Sequence, residues 1–374
     1  MKISFFGDCV IKSNPYTLKI DNSIQKLLKE CQLNCVNFEA PIKFEGSKKI
    51  TKSGPHHNQS TLTPKWLEEN GFNIVSLANN HAFDYNLEAF LSTVNSFENS
   101  KLLGFGSYEN AYNISIIDIE GIKLGFLGIS HQEFGCINIY NKNALGVAKL
   151  DSPRVFKAII ENKDKVDYLF IISHAGIEYI DVPLPELREL YQTFIDIGAF
   201  AVIGSHPHVP QGNEIYKGRH IIYSLGNFIF EKENNSKLNP YWYKSYIAVF
   251  EPEKNSLNII PIIYDPVERI VTKDLTKETK IHLEYLNELL KNEDLYYKYL
   301  DKILISFQKK YFKMLNNGIG KYKFQTNFKN IIKKIIRRKY NKKDYPGLLN
   351  LFQCESHRWI FSAILNSIIN KKDE

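Results

Sequence analysis

Short runs of β-forming residues alternate with helical patterns over the first 225 residues of this chain. The β-type runs lie at 3–6, 35–38, 73–78, 113–119, 122–129, 167–173, 199–204 and 220–225. The helical patterns lie at 21–31, 63–70, 87–96, 152–162 and 185–197. This alternation indicates an α/β fold. The dipeptides Glu120-Gly121 and Lys217-Gly218 are typical of hairpin turns. Two further β-type runs after Lys244 predict a hairpin that closes the sheet, and from about Thr272 onward the pattern is helical.

Polar residues stand directly after five of the β-type runs. They are Asp8, Glu39, Asn80 with His81 and Asp84, His174, and His206 with His208. In α/β sheets, ligands bind at the carboxyl ends of the strands, so we expect these five loops to share one edge. Each short motif is by itself more often a turn or a polar loop than a functional site. The prediction therefore depends on their combination.

The spacing of His206 and His208 favours a metal site over a helix surface. Positions i and i+2 do not share a helical face, but at a strand end two such imidazoles can point the same way. Carboxylate, amide and imidazole groups together suit a pair of divalent ions such as Mn, Fe or Zn. They suit a thiolate site or an all-oxygen calcium site less well.

Six motifs, in order along the chain, resemble the CapA family. They are GD (7–8), NFEAP (37–41), SLANNHAFDY (76–85), SHAGIEYIDVP (173–183), GAFAVIGSHPHVPQG (198–212) and IIYSLGNFIF (221–230). The family is named for the poly-γ-glutamate capsule synthesis protein and is related to the calcineurin-like metallophosphatases. The resemblance covers about residues 1–265 and implies a four-layer α/β/β/α sandwich with a two-metal centre at its strand ends.

The resemblance also implies which residues bind the two divalent ions. Glu39 would bridge them, with Asp8 and His208 on one ion and Asn80, His174 and His206 on the other.

Further roles are implied for residues around the ions. His81 is similar to the histidine that contacts the scissile phosphate and assists the leaving group in the superfamily, and Asp84 would orient it. Glu178, Gln211 and Asn227 resemble positions that face the substrate or support the ligands.

Three departures from the family pattern concern the first loop and the substrate side. Cys9 and Val10 follow Asp8, where metallophosphatases place a histidine ligand. Ala175 replaces the usual aromatic residue, which would widen the site, and Phe200 replaces an acidic residue. Among the other histidines, we expect His56 and His57 in an exposed polar loop, with the alternative that this loop is an insertion that reaches the site. His131 is expected to be a loop histidine near the same edge.

A strongly basic C-terminal region follows the body of the chain. Residues 301–374 carry 17 Lys/Arg and 5 Asp/Glu, a net charge of +12, whereas residues 1–300 carry 31 and 36, a net charge of −5. We therefore predict a CapA-like domain at 1–270 and a helical basic extension at 271–374. Residues 329–340 predict an amphipathic helix that packs on the body. Alternatively, this helix lies on an anionic membrane surface or docks to a synthase partner.

Location and partners are predicted from what the sequence lacks. Residues 358–369 are too few to span a bilayer and are expected to bury the Trp359 face against the body. With no export signal and no CxxC pair among the five cysteines, we expect reduced thiols and a cytoplasmic protein, peripheral to the inner membrane face. No recognition motif supports nucleic acid as a partner. We expect an anionic polymer or a phosphorylated substrate.

These expectations converge on a metal-dependent hydrolase of phosphoesterase type, acting on a phosphoester or amide-type bond in capsule, poly-γ-glutamate or exopolymer biosynthesis. The alternative is a non-catalytic capsule-assembly factor whose metal site is structural. The substitutions Ala175 and Phe200 favour this alternative.

Overall fold

Two mixed β-sheets form the centre of the molecule. The computed structural model describes residues 1–232, 239–319 and 346–370. The first sheet has the order β2-β17-β16-β15-β1-β3-β4-β5, and β14 pairs with β1 as well. Its strands are β1 (Ile3–Val10), β2 (Lys19–Ile20), β3 (Leu33–Phe38), β4 (Ile74–Ser76), β5 (Lys101–Leu103), β14 (Asn227–Phe230), β15 (Lys244–Glu251), β16 (Ser256–Asp265) and β17 (Ile270–Lys273).

The second sheet has the order β12-β13-β11-β10-β8-β7. Its strands are β7 (Ser115–Ile119), β8 (Ile122–Ser130), β10 (Tyr168–His174), β11 (Ala201–Ser205), β12 (Asn213–Tyr216) and β13 (Arg219–Ile222). A small separate pair consists of β6 (Phe105–Gly106) and β9 (Gly146–Val147). The sites named above follow β3, β4, β10 and β11, which run parallel to their neighbours β1 and β8.

Helices cover the outer face of each sheet. They are α1 (Asn22–Glu30), α2 (Thr63–Glu69), α3 (Asn86–Asn95), α4 (Pro153–Asn162), α5 (Pro185–Asp196), α6 (Glu278–Lys291), α7 (Glu293–Ile319), α8 (Pro346–Gln353) and α9 (Glu355–Asn370). One core cluster joins the two sheets through side chains such as Phe5, Phe126 and Phe170. A second lies between the first sheet and α1–α3, and a third lies between the second sheet and α4 and α5. The fold is therefore the expected four-layer α/β/β/α sandwich.

Local sequence chemistry explains several element boundaries. Asp21 caps α1 by accepting a hydrogen bond from the Ser23 N–H at 2.8 Å. The hairpin turns at Glu120-Gly121 and Lys217-Gly218 have positive φ at both residues, as two-residue turns between antiparallel strands require. Both turns were predicted from the sequence, and so was the β15–β16 hairpin.

The predicted strand at 220–225 is shorter than expected. It ends at Ile222, after which residues 223–226 pass between the sheets and the chain enters β14 beside β1. A Cβ atom at Gly7 would lie 1.8 Å from the Gly226 carbonyl oxygen, and one at Gly204 would lie 2.0 Å from that of Tyr223. Because glycine carries no Cβ, both strands let this segment approach closely.

The C-terminal helices contribute to the same core cluster as α4 and α5. Leu286, Tyr296, Leu351 and Ile360 are buried members of that cluster, and Trp359 packs against it. The division of the chain at residue 270 stays a prediction. The predicted amphipathic segment 329–340 lies outside the described residues. Within the described ranges, no helix is both long and apolar enough to cross a membrane.

Candidate metal centre

Asp8 lies inside β1 and not in a loop after it, as the sequence suggested. The register of β1 shifts at Asp8 against both β3 and β14, and such irregularities re-aim a side chain. One carboxylate oxygen accepts a hydrogen bond from Asn37 Nδ2 at 2.7 Å, and the other accepts one from the His206 backbone N–H at 3.0 Å. Burial would raise the pKa of Asp8, but the neighbouring His174 and His208 outweigh it and hold this pKa well below its usual value.

Glu39 follows β3 and is fully buried at the centre of the cluster. Its Oε1 lies 3.6 Å from His174 Nε2, 3.7 Å from His208 Nε2 and 3.9 Å from His81 Nε2. Neither carboxylate oxygen has a hydrogen-bond partner among the described residues. Burial, together with the charges of nearby carboxylates, holds the pKa of Glu39 well above its usual value. A divalent cation here would satisfy both oxygens and stabilise the ionised form, so the residues present fit a metal ion.

Asn80, His174 and His206 converge from β4, β10 and β11. His174 Nε2 lies 3.1 Å from Asn80 Oδ1 and 3.1 Å from His206 Nδ1. The other ring nitrogen of His174 lies 3.1 Å from Ser205 Oγ and 3.4 Å from Asp8 Oδ1. All three side chains are buried, so the cluster presents its nitrogen and oxygen atoms to an interior space and not to bulk water.

His206 and His208 both have positive φ, 97° and 59°. This conformation is costly for residues other than glycine, by about 1–3 kcal/mol each, and it tends to persist where a functional geometry requires it. His208 Nδ1 lies 3.0 Å from Asn227 Oδ1, while Asn227 Nδ2 donates to the carbonyls of His208 and Trp242. Asn227, the first residue of β14, therefore fixes His208.

Two overlapping ligand groups meet at Glu39. One combines Glu39 with Asp8 and His174, and the other combines it with His206 and His208, with ligand atoms within 4.8 Å of one another in each group. The resemblance implied a different partition, with Asp8 and His208 on one ion. His208 Nδ1 is in fact 3.5 Å from Asp8 Oδ2, so the partition stays a prediction.

The Nε2 atom of His81 faces Glu39, and Asp84 contacts the other ring nitrogen, Nδ1. Asp84 Oδ2 lies 2.6 Å from His81 Nδ1, and because a carboxylate only accepts, Nδ1 carries the hydrogen. Lys52 forms a buried ion pair with Asp84, and its Nζ lies 3.0 Å from His81 Nδ1. Burial and the Lys52 charge lower the pKa of His81, although Asp84 acts in the opposite direction. The His57 ring packs 4.5 Å from that of His81, so the expectation that His57 is exposed is wrong.

A cavity of about 220 Å³ opens beside this cluster. Its lining residues include Lys52, Asn80, His81, Glu133, Gly176, Ile177, Glu178, His206, Tyr311, Asn350 and His357. Glu178 lines this cavity, as the sequence suggested for a substrate-facing residue. Gln211 and Asn227 are not among its lining residues, and Gln211 Nε2 donates to the carbonyls of Ile180 and Val182. For these two residues the geometry describes a supporting position.

No sequence motif identifies Lys52, Glu133 or the residues of the C-terminal helices at this cavity. His131 was noted as near this edge, and its ring packs 4.3 Å from that of His206. Lys52 and Glu133 follow no strand directly and carry no spacing motif. Only their three-dimensional placement identifies them.

Ala175 and Phe200 do not line the cavity, contrary to the sequence expectation. Phe200 precedes β11, at the amino end of the sheet, where its ring packs against Tyr168 at 4.8 Å and Arg219 lies over it. Ala175 is fully buried in the core cluster that faces α5. Both are core residues, so their departure from the family pattern does not reshape the substrate side.

Comparisons with known proteins identify the family of this chain. Residues 2–232 match the family described as "Bacterial capsule synthesis protein PGA_cap". The "PGA biosynthesis protein CapA" of Bacillus subtilis (strain 168) is 29% identical over 279 residues, which cover 71% of this chain and 69% of that protein. The "Capsule biosynthesis protein CapA" of Bacillus anthracis is 31% identical over 218 residues, which cover 56% of this chain. The chain spans about half the length of that second relative (53%).

Solved structures are similar at a lower level. A "Putative 5'-Nucleotidase from Staphylococcus aureus" covers 76% of this chain at 15% identity, with 58% of its own chain covered and a TM-score of 0.46. We infer nothing about activity from a likeness of this degree.

Proposed function

The chain belongs to the bacterial capsule synthesis protein family, PGA_cap, and from this premise we propose that it is a metal-dependent hydrolase in capsule, poly-γ-glutamate or exopolymer biosynthesis. Its substrate would be a phosphoester or a compound with an amide-type bond, and its cofactor would be two divalent ions, with Mn, Fe or Zn suited to the donor set.

The observation that carries this proposal is the buried Glu39 carboxylate. It has no hydrogen-bond partner among the described residues, and histidine nitrogens from three separate segments lie within 3.9 Å of it. Burying an ionised carboxylate without a partner is strongly unfavourable, and a bridging position between two cations removes that penalty. The strained backbone at His206 and His208 supports the same assignment, since it directs both imidazoles to this point.

The residues of the chain have separate roles in the proposed hydrolysis. When bound, a pair of divalent ions supplies an acidified water and neutralises charge on the attacking and leaving oxygens. Asp8 and Glu39 set the negative charge of the centre. Asn37 holds the carboxylate of Asp8, and Asn227 holds the ring of His208, so these side chains are fixed before substrate enters.

His81 is proposed to act on the leaving group. With Nδ1–H directed to Asp84, its Nε2 points into the centre, and a ring that has taken up a second proton from solvent at Nε2 can donate it to the leaving oxygen. Lys52 holds Asp84 in place through its ion pair. Glu178 lines the same cavity, and its proposed role is to contact an amine or hydroxyl group of the substrate.

The non-catalytic alternative, with a structural metal site, stays a prediction. It was favoured by Ala175 and Phe200, and both side chains lie in the core. A surface role for the basic segment 329–340, toward lipid or a synthase, stays a separate prediction.

Elemental analysis of the purified, tag-free protein beside a His206→Ala/His208→Ala variant tests the proposal. We expect about two Mn, Fe or Zn per wild-type chain and most of this metal lost in the variant. A screen of phosphomonoesters and phosphodiesters with the metal-loaded protein follows. Near-zero metal after anaerobic reloading contradicts the proposal.

A further inference from the structure

Part of the cavity wall comes from helices beyond the family match. The match ends at residue 232, whereas Tyr311 of α7, Asn350 of α8 and His357 of α9 line the cavity together with His81 and His206. The C-terminal helices therefore contact the candidate site directly.

Glu133 connects these helices to Asn80. Its Oε2 accepts a hydrogen bond from Asn80 Nδ2 at 3.0 Å. Its Oε1 accepts one from Asn350 Nδ2 at 3.2 Å and lies 3.5 Å from His357 Nε2. The side chain of Glu133 is only 11% exposed, so water competes little for these contacts.

Asn80 has a specific need for such an acceptor. An asparagine binds a cation through Oδ1, and its Nδ2 must then find an acceptor elsewhere. Because Glu133 accepts a hydrogen bond from Asn80 Nδ2, the amide is held with Oδ1 directed toward His174 Nε2, 3.1 Å away. Without this acceptor the amide can rotate and present two N–H donors to the ion.

His357 is in turn fixed by α7. Tyr311 Oη lies 2.8 Å from His357 Nδ1, and a hydroxyl that donates there leaves Nε2–H facing Glu133. Asn350 approaches the same carboxylate oxygen. Three helices that follow residue 290 therefore hold one carboxylate, and that carboxylate holds Asn80.

We propose that Glu133 is a positioning residue for Asn80, and that the C-terminal helices complete the metal centre by holding Glu133 in place. This inference rests on the proposed function in one respect, the assignment of Asn80 as a metal ligand. It implies that a protein without the contacts of α8 and α9 to Glu133 would bind metal weakly.

Metal affinity tests the proposal without any substrate. Zn²⁺ or Mn²⁺ is titrated into metal-free full-length protein in competition with a chromogenic chelator. We expect Glu133→Gln to weaken binding by about 10- to 100-fold, as loss of a partner of a metal ligand does. His357→Gln is expected to weaken it less, because Asn350 still holds Glu133, and this variant carries the test where Glu133→Gln does not fold. The thermal unfolding midpoint of each variant is measured together with its metal affinity.

A second background separates positioning from general support. In the Asn80→Asp protein, the introduced carboxylate can accept a hydrogen bond from the amide introduced by Glu133→Gln. We therefore expect Glu133→Gln to change metal affinity little in the Asn80→Asp protein. A difference between its effects in the two backgrounds is a coupling between positions 80 and 133. A purely structural role predicts the same loss in both backgrounds and overturns the proposal.

Glu214→Gln is the matched control. The side chain of Glu214, in β12, has the same 11% exposure and pairs with Arg188 of α5, so the variant is expected to lower stability and leave metal affinity unchanged. Unchanged affinity in Glu133→Gln, with two ions bound by the wild type, overturns this inference and leaves the proposed function intact. A wild type that binds no ion overturns both.

Discussion

Asp8 Oδ2 accepts a hydrogen bond at 3.0 Å from the backbone N–H of His206, and this contact joins the two sheets at the centre of the site. Asp8 belongs to β1 of the first sheet, and His206 follows β11 of the second. The distance between ligands of the first sheet and ligands of the second sheet is therefore set by how the two sheets pack. The geometry of the metal centre is for this reason a property of the whole sandwich.

Packing of residues 223–226 between the sheets should be sensitive to a single methyl group. In Gly7→Ala the new Cβ would lie 1.8 Å from the Gly226 carbonyl oxygen, and in Gly204→Ala it would lie 2.0 Å from that of Tyr223. Either backbone must shift, so we expect destabilisation of about 1–3 kcal/mol or more, measured by urea unfolding. Gly347→Ala is the control. Its nearest atom would be 3.8 Å away and it lies in α8, so stability should be unchanged or slightly higher.

Removal of metal should lower the thermal stability of the wild-type protein. A ligand that binds only the folded state stabilises it by about 2.7 kcal/mol at 100 times its dissociation constant. Without it, the buried Glu39 carboxylate lacks a partner among the described residues. We therefore expect a lower midpoint with a chelator than with added Mn²⁺ or Zn²⁺, by scanning calorimetry.

The His206→Ala/His208→Ala protein is the control for this shift. Its midpoint should not respond to chelator or to added metal, because the responding ligands are gone. An equal response in the two proteins would show that the ions act elsewhere on the chain.

The parts of the fold that the sequence predicts are those that local sequence patterns determine. The hairpin at Glu120-Gly121 needs only two residues able to adopt positive φ, and the β-type runs need only a short apolar stretch. The shared edge of the five loops follows from a general rule for α/β sheets. For that reason the sequence alone predicts that Glu39, His81 and His174 lie at one site.

Other features depend on contacts between distant segments, which local patterns do not encode. Asn350 meets Glu133 across 217 positions of sequence, and neither residue has a motif around it. Lys52 reaches Asp84 from a loop predicted to be exposed. The prediction for Phe200 is wrong because Phe200 lies at the amino end of β11, where a side chain enters the core between the sheets and not the site.

The C-terminal helices should unfold together with the rest of the molecule. Trp359 of α9 packs against the core cluster that contains Tyr191 of α5 and Tyr223. Fluorescence of a protein that keeps only Trp359 (Trp66→Phe/Trp242→Phe) can be compared with one that lacks it (Trp359→Phe). After allowance for the stability change of each variant, we expect coincident urea transitions by fluorescence and circular dichroism. An earlier transition at Trp359 would support an independent extension after residue 270.

Loss of His81 should abolish turnover without removing metal. His81 Nε2 lies 3.9 Å from Glu39 Oε1, and Nδ1 is taken by Asp84, so the ring faces the reacting groups through one nitrogen. Loss of a general acid typically lowers the rate by about 10²- to 10⁴-fold. We expect His81→Asn to show this loss in kcat on any phosphoester that the wild type hydrolyses, with wild-type metal content by elemental analysis.

Asp84→Asn provides the matched comparison, because it acts on the same ring from behind. The introduced amide can no longer act only as an acceptor, so it fixes the His81 tautomer less well, and Lys52 loses its ion-pair partner. We expect a smaller loss of kcat than in His81→Asn, and almost no further loss when the two changes are combined, since both act through Nε2. Independent, multiplicative losses in the double variant would mean that Asp84 acts on the substrate by another route than His81.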